Sequence, residues 1–383
     1  MEYYTIRRSC ILCNHKEFSE DYFVNNFSTY LSYSLYAEKK NDAVSIPYNI
    51  IYCKNCYTVQ TKYIGDISII YETNHVDSFG SVKNSQIIEF SNFILENKDI
   101  VSPIEIGACT HAIGDIILNS ITSSYTIIDP GYKGIYIPRL HIINDYCENI
   151  DLNSLEGNTV ILSNVFEHFY EPISILKKLS SAHNIKYIYL NHPDFEYYCK
   201  NGVYNILNFE HIYYIELEFL KKLFNLYGFQ LESYKPHDNQ TTFLKFNRCI
   251  TNNISTDITF KHGSSIEDTK QYFKEMHDKI SKMNTMINTN TDTEYYIWPA
   301  SAHSVALFMN GLEWNKLSGV LDNSPHKVGK ILYGYNITCQ SFNTMITSDV
   351  SKPVTIFISG AGNYIKEIDI KSKTVNIVYI NDL

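Results

Sequence analysis

Between about residues 101 and 245, short apolar runs alternate with segments of helical periodicity, and this alternation constrains the fold more than any other feature. Short apolar runs bounded by turn residues indicate buried strands, and apolar residues recurring every three to four positions indicate helices. Strands that alternate with helices form βαβ units, which build a mostly parallel sheet. The strand candidates are 103–107, 125–129, 159–163 and 186–190, and helix candidates between them include 112–120 and 172–182.

The same alternation continues beyond this region. A helix at 216–227 followed by an apolar run at 229–231 predicts a late strand pair that closes the sheet. Another βαβ pattern predicts a smaller Rossmann-like domain near the C-terminus, with strands at 294–298, 317–321 and 353–359 and a helix at 302–312. We therefore predict an α/β chain with four parts: 1–65 as a zinc-binding domain, 66–250 as the main sheet domain, 251–290 as a linker helix and 291–383 as the C-terminal domain.

Composition and charge exclude several classes of protein. Hydrophobic residues make up 44% of the 383 positions, which is enough to build globular cores. The formal net charge of −9 argues against nucleic acid or an anionic membrane as a partner. No apolar run approaches the roughly 20 residues that span a bilayer, and no signal peptide is evident, so we expect a cytoplasmic protein.

Two C-x2-C pairs near the N-terminus predict a metal site. Cys10 and Cys13 form the first pair, and Cys53 and Cys56 form the second. Two such turns can direct four thiolates at one zinc ion, which then has no open position and is structural. The alternative is four unrelated buried thiols.

Three polar positions follow strand candidates of the main sheet and predict a ligand site. Glu105 and Gly107 end the first strand, and a glycine there lets the backbone approach a ligand closely. Asp129 ends the second strand, where an acid can accept hydrogen bonds from both hydroxyl groups of a ribose. The motif Ser163-Asn164-Val-Phe-Glu-His168 ends another strand that faces the same crevice. A complete G-x-G-x-x-G motif is absent, which disfavours NAD.

These motifs, in this order, resemble those of class I S-adenosylmethionine-dependent methyltransferases. The chain departs from the usual E-x-G-x-G-x-G pattern because Cys109 and His111 replace the second and third glycines. The resemblance implies S-adenosylmethionine as the cofactor. It also implies a set of cofactor-binding residues: Glu105, Gly107, Ala108, His111, Asp129, Asn164 and His168.

Nearly the whole chain also resembles the zinc-containing sugar C-methyltransferases, which act on nucleotide-linked deoxysugars. The four cysteines match the zinc ligands of that family, and 298–303 and 319–329 look like its C-terminal domain. The segment 208–214 resembles its Y-H-E-H-x-x-Y stretch. By position the resemblance implies His211 and Glu210 as acid and base, with Tyr214 in the pocket; the substrate contacts would be His75, Ser78 and Asn208.

The segment 208–214 also departs from the family, and other functions stay open. Asn208 and Phe209 replace the leading Tyr-His pair, so O-methylation of a sugar is an alternative to C-methylation. A zinc-containing scaffold whose cofactor site has decayed would explain the missing glycines. A nucleic-acid methyltransferase is a third possibility, although the acidic charge opposes it. The oligomeric state does not follow from the sequence.

Overall fold

The computed structural model describes residues 3–29, 44–71, 81–108, 110–132, 134–238, 240–249, 258–332, 334–347, 352–359 and 375–383. The strands, in chain order, are β1 Tyr4–Ile6, β2 Phe18–Ser28, β3 Ser45–Cys53, β4 Val59–Thr61, β5 Tyr63–Gly65, β6 Ile104–Ile106, β7 Tyr125–Ile128, β8 Leu140–Ile143, β9 Thr159–Ser163, β10 Tyr187–Pro193, β11 Tyr213–Tyr214, β12 Phe229–His237, β13 Thr241–Arg248, β14 Glu294–Trp298, β15 Gly319–Leu321, β16 Cys339–Gln340, β17 Val354–Ile358 and β18 Val375–Tyr379.

Helices of very different length connect these strands. They are α1 Ile67–Ile70, α2 Ser81–Leu95, α3 Ala112–Leu118, α4 Pro172–Ser181, α5 Phe195–Lys200, α6 Leu217–Leu226, α7 Ser265–Thr289, α8 Ala302–Met309 and α9 Phe342–Thr347. In the part of the chain that the structure describes, no helix combines the length and the apolar character needed to span a membrane.

The central sheet has seven strands in the order β12-β13-β10-β9-β6-β7-β8. Five of them, from β10 to β8, run parallel, and β13 and β12 add an antiparallel pair at one edge. Helices α2 and α3 contribute to the core on one face, and α4 and α6 contribute to the core on the other. The strand order reverses at β6, which pairs with both β7 and β9, and ligands bind at such switch points in open parallel sheets.

An antiparallel sheet near the N-terminus has the order β11-β4-β3-β2. Three of its strands lie within residues 18–61, but β11 comes from residues 213–214, far along the chain. The C-x2-C turns lie beside this sheet, and their cysteines join the core that covers the α6 face of the central sheet.

The C-terminal sheet has five parallel strands in the order β16-β15-β14-β17-β18. The strand order reverses at β14, and a short turn connects that strand to α8. The predicted Rossmann-like architectures of the centre and of the C-terminal region are therefore both confirmed.

Helix α7 is more than a connection. One stripe of its side chains is buried in a core shared with the N-terminal and the C-terminal sheets, and it consists of Tyr272, Phe273, Met276, Ile280, Met283 and Ile287. Phe273 stacks on Tyr22 of β2 with ring centroids 3.7 Å apart. The helix predicted within 251–290 spans Ser265–Thr289, and it is part of a core.

The predicted strands and helices agree with the structure to within a few residues. Strand β8 was not predicted. Only Leu140 is buried among its four residues, and the apolar signal of such an edge strand is weak. The helix predicted at 302–312 ends earlier, at Met309, because Gly311 adopts a φ of +103° that a helix cannot contain.

Candidate functional site

The carboxyl edges of both parallel sheets face one cavity of about 1250 Å³. Small-molecule pockets commonly measure about 300–1000 Å³, so this cavity has room for a cofactor and a second molecule. The central sheet lines one end through the residues that follow β6, β7 and β9. The C-terminal sheet lines the opposite wall through 298–303 and 322–327.

Gly107 forms the turn between β6 and α3. Its φ is +75°, and its N–H donates to the Ile128 carbonyl at 2.9 Å. A Cβ atom at this position would lie 2.3 Å from the Cγ2 of Val165, so no other residue fits without displacing the backbone or Val165. The glycine therefore lets Val165 pack directly against this turn.

Two acids lie beside this turn. Glu105 is buried and accepts a hydrogen bond of 2.7 Å from the Tyr125 hydroxyl; burial raises the pKa of Glu105 to about 8. Asp129 follows β7 and is half-buried, and burial also raises its pKa. One Asp129 oxygen accepts from the Gly131 N–H at 2.7 Å, and the residue lines the cavity.

Asn164 follows β9 on the same edge. Its φ is +51°, which asparagine tolerates better than most residues, and its N–H donates to the Asn191 carbonyl at 2.9 Å. Its side-chain oxygen accepts from Asn191 Nδ2 at 2.9 Å and from Lys83 Nζ at 3.0 Å. These bonds fix the loop between Asn164 and His168 against β10.

A cluster of one buried carboxylate and three histidines lies deeper in the site. Glu167 is buried, with His192 Nδ1 3.6 Å from one oxygen and His211 Nε2 4.0 Å from the other. The rings of His168 and His211 lie 5.1 Å apart, and Nδ1 of His168 is 3.1 Å from the Tyr71 hydroxyl. Glu167, His168 and His211 all line the cavity.

Burial and neighbouring groups act in opposite directions on Glu167. Burial alone would raise the pKa of this carboxyl, but the contact with His192 and the charges of His168, His192 and His211 lower it to about 2. Burial, together with His168, lowers the pKa of His211 to about 4.

The loop that carries Glu210 and His211 is held by Asn208. The side-chain oxygen of Asn208 accepts from the N–H groups of both residues at 2.8 Å, and its Nδ2 donates to the carbonyl of Asn205 at 3.1 Å. Phe209 is buried and packs edge-on against Tyr48 of β3, with ring centroids 5.1 Å apart. The two residues that depart from the family pattern therefore form an anchor for the loop.

The N-terminal sheet continues this support. Strand β11 follows His211 and pairs with β4, and the N–H of Thr61 donates to the Ile212 carbonyl at 3.0 Å. The buried guanidinium of Arg7 donates to the carbonyl of Thr61 at 2.8 Å and to that of Ile212 at 3.3 Å.

The C-terminal wall of the cavity is polar. Helix α8 begins at Ala302 without a side-chain cap, and Ser301 Oγ and His303 Nδ1 are buried with no hydrogen-bond partner among the described residues. Lys327 Nζ donates to Asp322 at 2.9 Å and to the Ala300 carbonyl at 2.8 Å.

The four cysteines predicted to bind zinc lie together, with every pair of sulfurs within 4.8 Å. Sγ of Cys10 is 3.6 Å from that of Cys56, and Sγ of Cys13 is 3.5 Å from that of Cys53. Four sulfurs at about 2.3 Å from a tetrahedral zinc would be about 3.8 Å apart, so the cluster fits the ion. Gln60 reaches the cluster through Nε2, which donates to Cys10 Sγ at 3.4 Å.

The cavity brings together nine of the predicted site residues: Glu105, Gly107, Ala108, Asp129, Asn164, His168, Asn208, Glu210 and His211. His111 is not among the lining residues; its Nε2 is 3.2 Å from Asp115 on its own helix. Tyr214 is not a lining residue either, because its hydroxyl is buried against that of Tyr48 at 2.8 Å. His75 and Ser78 lie outside the described residues.

Sequence reasoning did not single out Glu167, although it belongs to the motif that contains His168. One signal in the sequence could have indicated it: Glu167 stands directly beside His168, shortly after a buried strand. Lys83 and Glu148 also line the cavity, and no sequence motif singled them out.

Comparison with known proteins gives likeness of fold only. No protein-family profile and no curated protein sequence matches the chain. Among solved structures, the methyltransferase domain of bacterial CtHen1-CN is 16% identical, covers 43% of this chain and 98% of its own length, and has a TM-score of 0.35. The magnesium protoporphyrin IX methyltransferase of Synechocystis PCC 6803, with bound S-adenosylmethionine, is 12% identical and has a TM-score of 0.33; the match covers 45% of this chain and 85% of that one. The 1,6-didemethyltoxoflavin-N1-methyltransferase of Burkholderia thailandensis is 8% identical and has a TM-score of 0.32; the match covers 43% of this chain and 79% of that one.

Proposed function

We propose that this protein is an S-adenosylmethionine-dependent methyltransferase whose acceptor is a sugar, bound between the central and C-terminal sheets. The observation that carries the proposal is the shared cavity: the cofactor-type turn at Gly107 and the Glu210–His211 loop line the same space. A catalyst of methyl transfer needs such a meeting point, because much of its rate enhancement comes from positioning the two reactants.

The residues at the central sheet edge fit the cofactor. Gly107 lines the cavity, and a glycine at this turn lets a ligand approach the backbone closely. Asp129 lines the cavity after the neighbouring strand and suits the two hydroxyls of a ribose. S-adenosylmethionine, when bound, supplies an electrophilic methyl group on a sulfonium centre.

The Glu210–His211 loop fits the role of preparing the acceptor. A hydroxyl, or a carbon next to a ketone, must lose a proton before it can attack the methyl group, and a neutral histidine can accept that proton. The lowered pKa of His211 keeps its imidazole neutral near pH 7. His211 lines the cavity, and Asn208 fixes the backbone from which its side chain extends. We assign His211 as the proton acceptor, with Glu210 beside it.

The C-terminal wall favours an acceptor rich in hydroxyl groups or phosphate. The buried atoms Ser301 Oγ and His303 Nδ1 have no hydrogen-bond partner among the described residues, and buried polar atoms require partners. The uncapped start of α8 offers backbone N–H groups, which attract anions. Together with the resemblance found in the sequence, this wall leads us to a nucleotide-linked deoxysugar, with C-methylation favoured over O-methylation.

The zinc assignment belongs to the same proposal. Four thiolates leave no open coordination position, so the ion would stabilise the N-terminal unit and take no part in the reaction. Its effect on the cavity would pass through β4 and β11, which hold the loop of His211.

Calorimetric titration with S-adenosylhomocysteine tests the cofactor site first. We expect micromolar binding to the intact protein and no detectable binding to Gly107→Ala, because the added Cβ collides with Val165. Gly311→Ala is the matched control: Gly311 has a φ of +103° and no atom within 4 Å of the added Cβ, so it tests backbone strain alone. Absence of binding in folded, zinc-loaded protein would favour the scaffold alternative.

Transfer of a radiolabelled methyl group to nucleotide-linked keto- and hydroxy-sugars tests the acceptor and the role of His211. His211→Ala should bind S-adenosylhomocysteine normally yet turn over about 10²- to 10⁴-fold more slowly, the usual contribution of general base catalysis. Full turnover by this variant would show that another group accepts the proton.

A further inference from the structure

We propose that Glu167, His168 and His211 form a second metal site, which binds a divalent transition-metal ion inside the cavity. This site is separate from the four cysteines. One carboxylate oxygen and one nitrogen from each histidine lie within 4.8 Å of one another.

The buried carboxylate of Glu167 calls for a cation. Neither of its oxygens has a hydrogen-bond partner among the described residues. The ion-pair neighbours that the structure gives it are the side chains of His192 and His211. A carboxylate without hydrogen bonds is costly to bury, and coordination to a metal is one of the few arrangements that offset this cost.

The two histidines present suitable nitrogens. His168 is bonded through Nδ1 to the Tyr71 hydroxyl, and its Nε2 is buried without a partner among the described residues. A histidine that binds a metal typically makes a hydrogen bond through its other ring nitrogen, which fixes the ring and its tautomer. The Tyr71–His168 pair has that arrangement. His211 directs Nε2 towards Glu167 at 4.0 Å.

The chemistry of the ligands selects the class of ion. Two imidazoles and one carboxylate suit zinc, iron, cobalt or nickel, whereas calcium and magnesium favour oxygen ligands alone. Ligands of one ion at about 2.1 Å lie roughly 3 to 3.5 Å apart, so binding would draw the three side chains inward. Three protein ligands also leave a coordination position open to the cavity.

An ion at this site would affect the activity proposed above, and this part of the inference rests on that proposed function. Coordination uses the lone pair of His211 Nε2, which is then unable to accept a proton from the acceptor. We expect a second equivalent of Zn²⁺ to inhibit methyl transfer and His168→Ala to be less sensitive. Stimulation by the second equivalent would overturn this competition.

Titration of Zn²⁺ into protein that already holds one tightly bound zinc per chain tests the site directly. Calorimetry should show one further equivalent, confirmed by metal content after equilibrium dialysis. Glu167→Gln and His168→Ala should each lose it, and Tyr71→Phe should weaken it about 10- to 100-fold. Glu171→Gln and His326→Ala, which alter a carboxylate and a histidine elsewhere in the cavity lining, are the controls and should retain it.

Several outcomes would overturn the proposal. They are the absence of a second equivalent in the unaltered protein, its persistence in both Glu167→Gln and His168→Ala, or an equal loss in His326→Ala. Circular dichroism identifies a variant that fails to fold. If Glu167→Gln fails to fold, His168→Ala still decides the test. Binding of S-adenosylhomocysteine, measured on the same samples, reports separately on the proposed function.

Discussion

Glu105 and Glu167 are both buried and line the same cavity, yet they differ in charge. Glu105 is held by a neutral donor, the Tyr125 hydroxyl, and burial raises its pKa to about 8. Burial would act in the same direction on Glu167, but the surrounding histidines lower its pKa to about 2. Two carboxyl groups with equal burial therefore have opposite protonation states near neutral pH.

This difference separates two neighbouring parts of one sheet edge. Beside Gly107, the carboxyl group of Glu105 can remain uncharged near neutral pH, whereas Glu167, which follows the adjacent strand β9, stays ionised among its histidines. Neighbouring groups, rather than depth of burial, determine the charge of each carboxyl group.

The largest effect is expected from Cys56→Ser, which tests whether the part of the cavity around Glu167 and His211 depends on the N-terminal unit. Structural zinc sites contribute on the order of 10 kcal/mol to folding, so the variant should lose its zinc and be destabilised by several kcal/mol. The loop of His211 should lose its support from β4 and β11. Metal content and thermal unfolding measure both effects.

Cys249→Ser is the control for this experiment, because Cys249 is half-buried and lies outside the four-cysteine cluster. A Cys56→Ser protein that kept its zinc and its melting temperature would contradict the structural role of the cluster.

Glu105→Gln sharpens the comparison through the pH dependence of stability. Between its ordinary pKa of 4.5 and its folded pKa of about 8, the folded state binds more protons at Glu105 than the unfolded state does. This residue therefore makes the protein less stable as the pH rises, by about 1.4 kcal/mol per pH unit at most. Glutamine still accepts the Tyr125 hydrogen bond but does not titrate, so the variant should match the original near pH 5 and exceed its stability at pH 8.

Urea unfolding at several pH values measures this slope. Glu148→Gln serves as the control, because Glu148 is an exposed carboxylate in the same cavity lining. If Glu105→Gln and the original protein kept parallel pH profiles, the carboxyl group would be ionised in the folded state.

The smallest effect is expected from Asn208→Ala. The substitution removes the acceptor for the N–H groups of Glu210 and His211, a loss comparable to that of a helix N-cap, about 1 kcal/mol. Turnover should fall about tenfold with little change in affinity for S-adenosylhomocysteine, because only the His211 loop is loosened. Asn208→Asp keeps the acceptor and should restore most of the activity; equal activity of all three proteins would mean that the loop is fixed by other contacts.

Much of the fold could be predicted because its signals are local. The strands of the central sheet are continuous apolar runs, buried in the structure, and Pro172 and Gly228 mark helix boundaries. The position of Gly107 also follows from its place in the chain, since a strand-to-helix turn with positive φ favours glycine.

The parts that could not be predicted depend on contacts between distant segments. Strand β11 has only two residues and pairs with β4, about 150 positions earlier, so no local pattern announces it. Tyr214 was expected in the pocket from a resemblance of its segment, but its hydroxyl bonds to Tyr48 of β3. Glu167 gains its character from His192 and His211, which the chain brings to it only after folding.

Helix α7 has a mechanical consequence. It is about 38 Å long, at 1.5 Å per residue, and its buried stripe belongs to one core with both the N-terminal and the C-terminal sheets. The helix thereby splints those two sheets together, and the N-terminal unit is also joined to the central sheet, because its cysteines belong to the core on the α6 face. The polar wall at α8 is thus tied to the central sheet through α7 and the N-terminal unit, and we expect this bracing to resist any widening of the cavity.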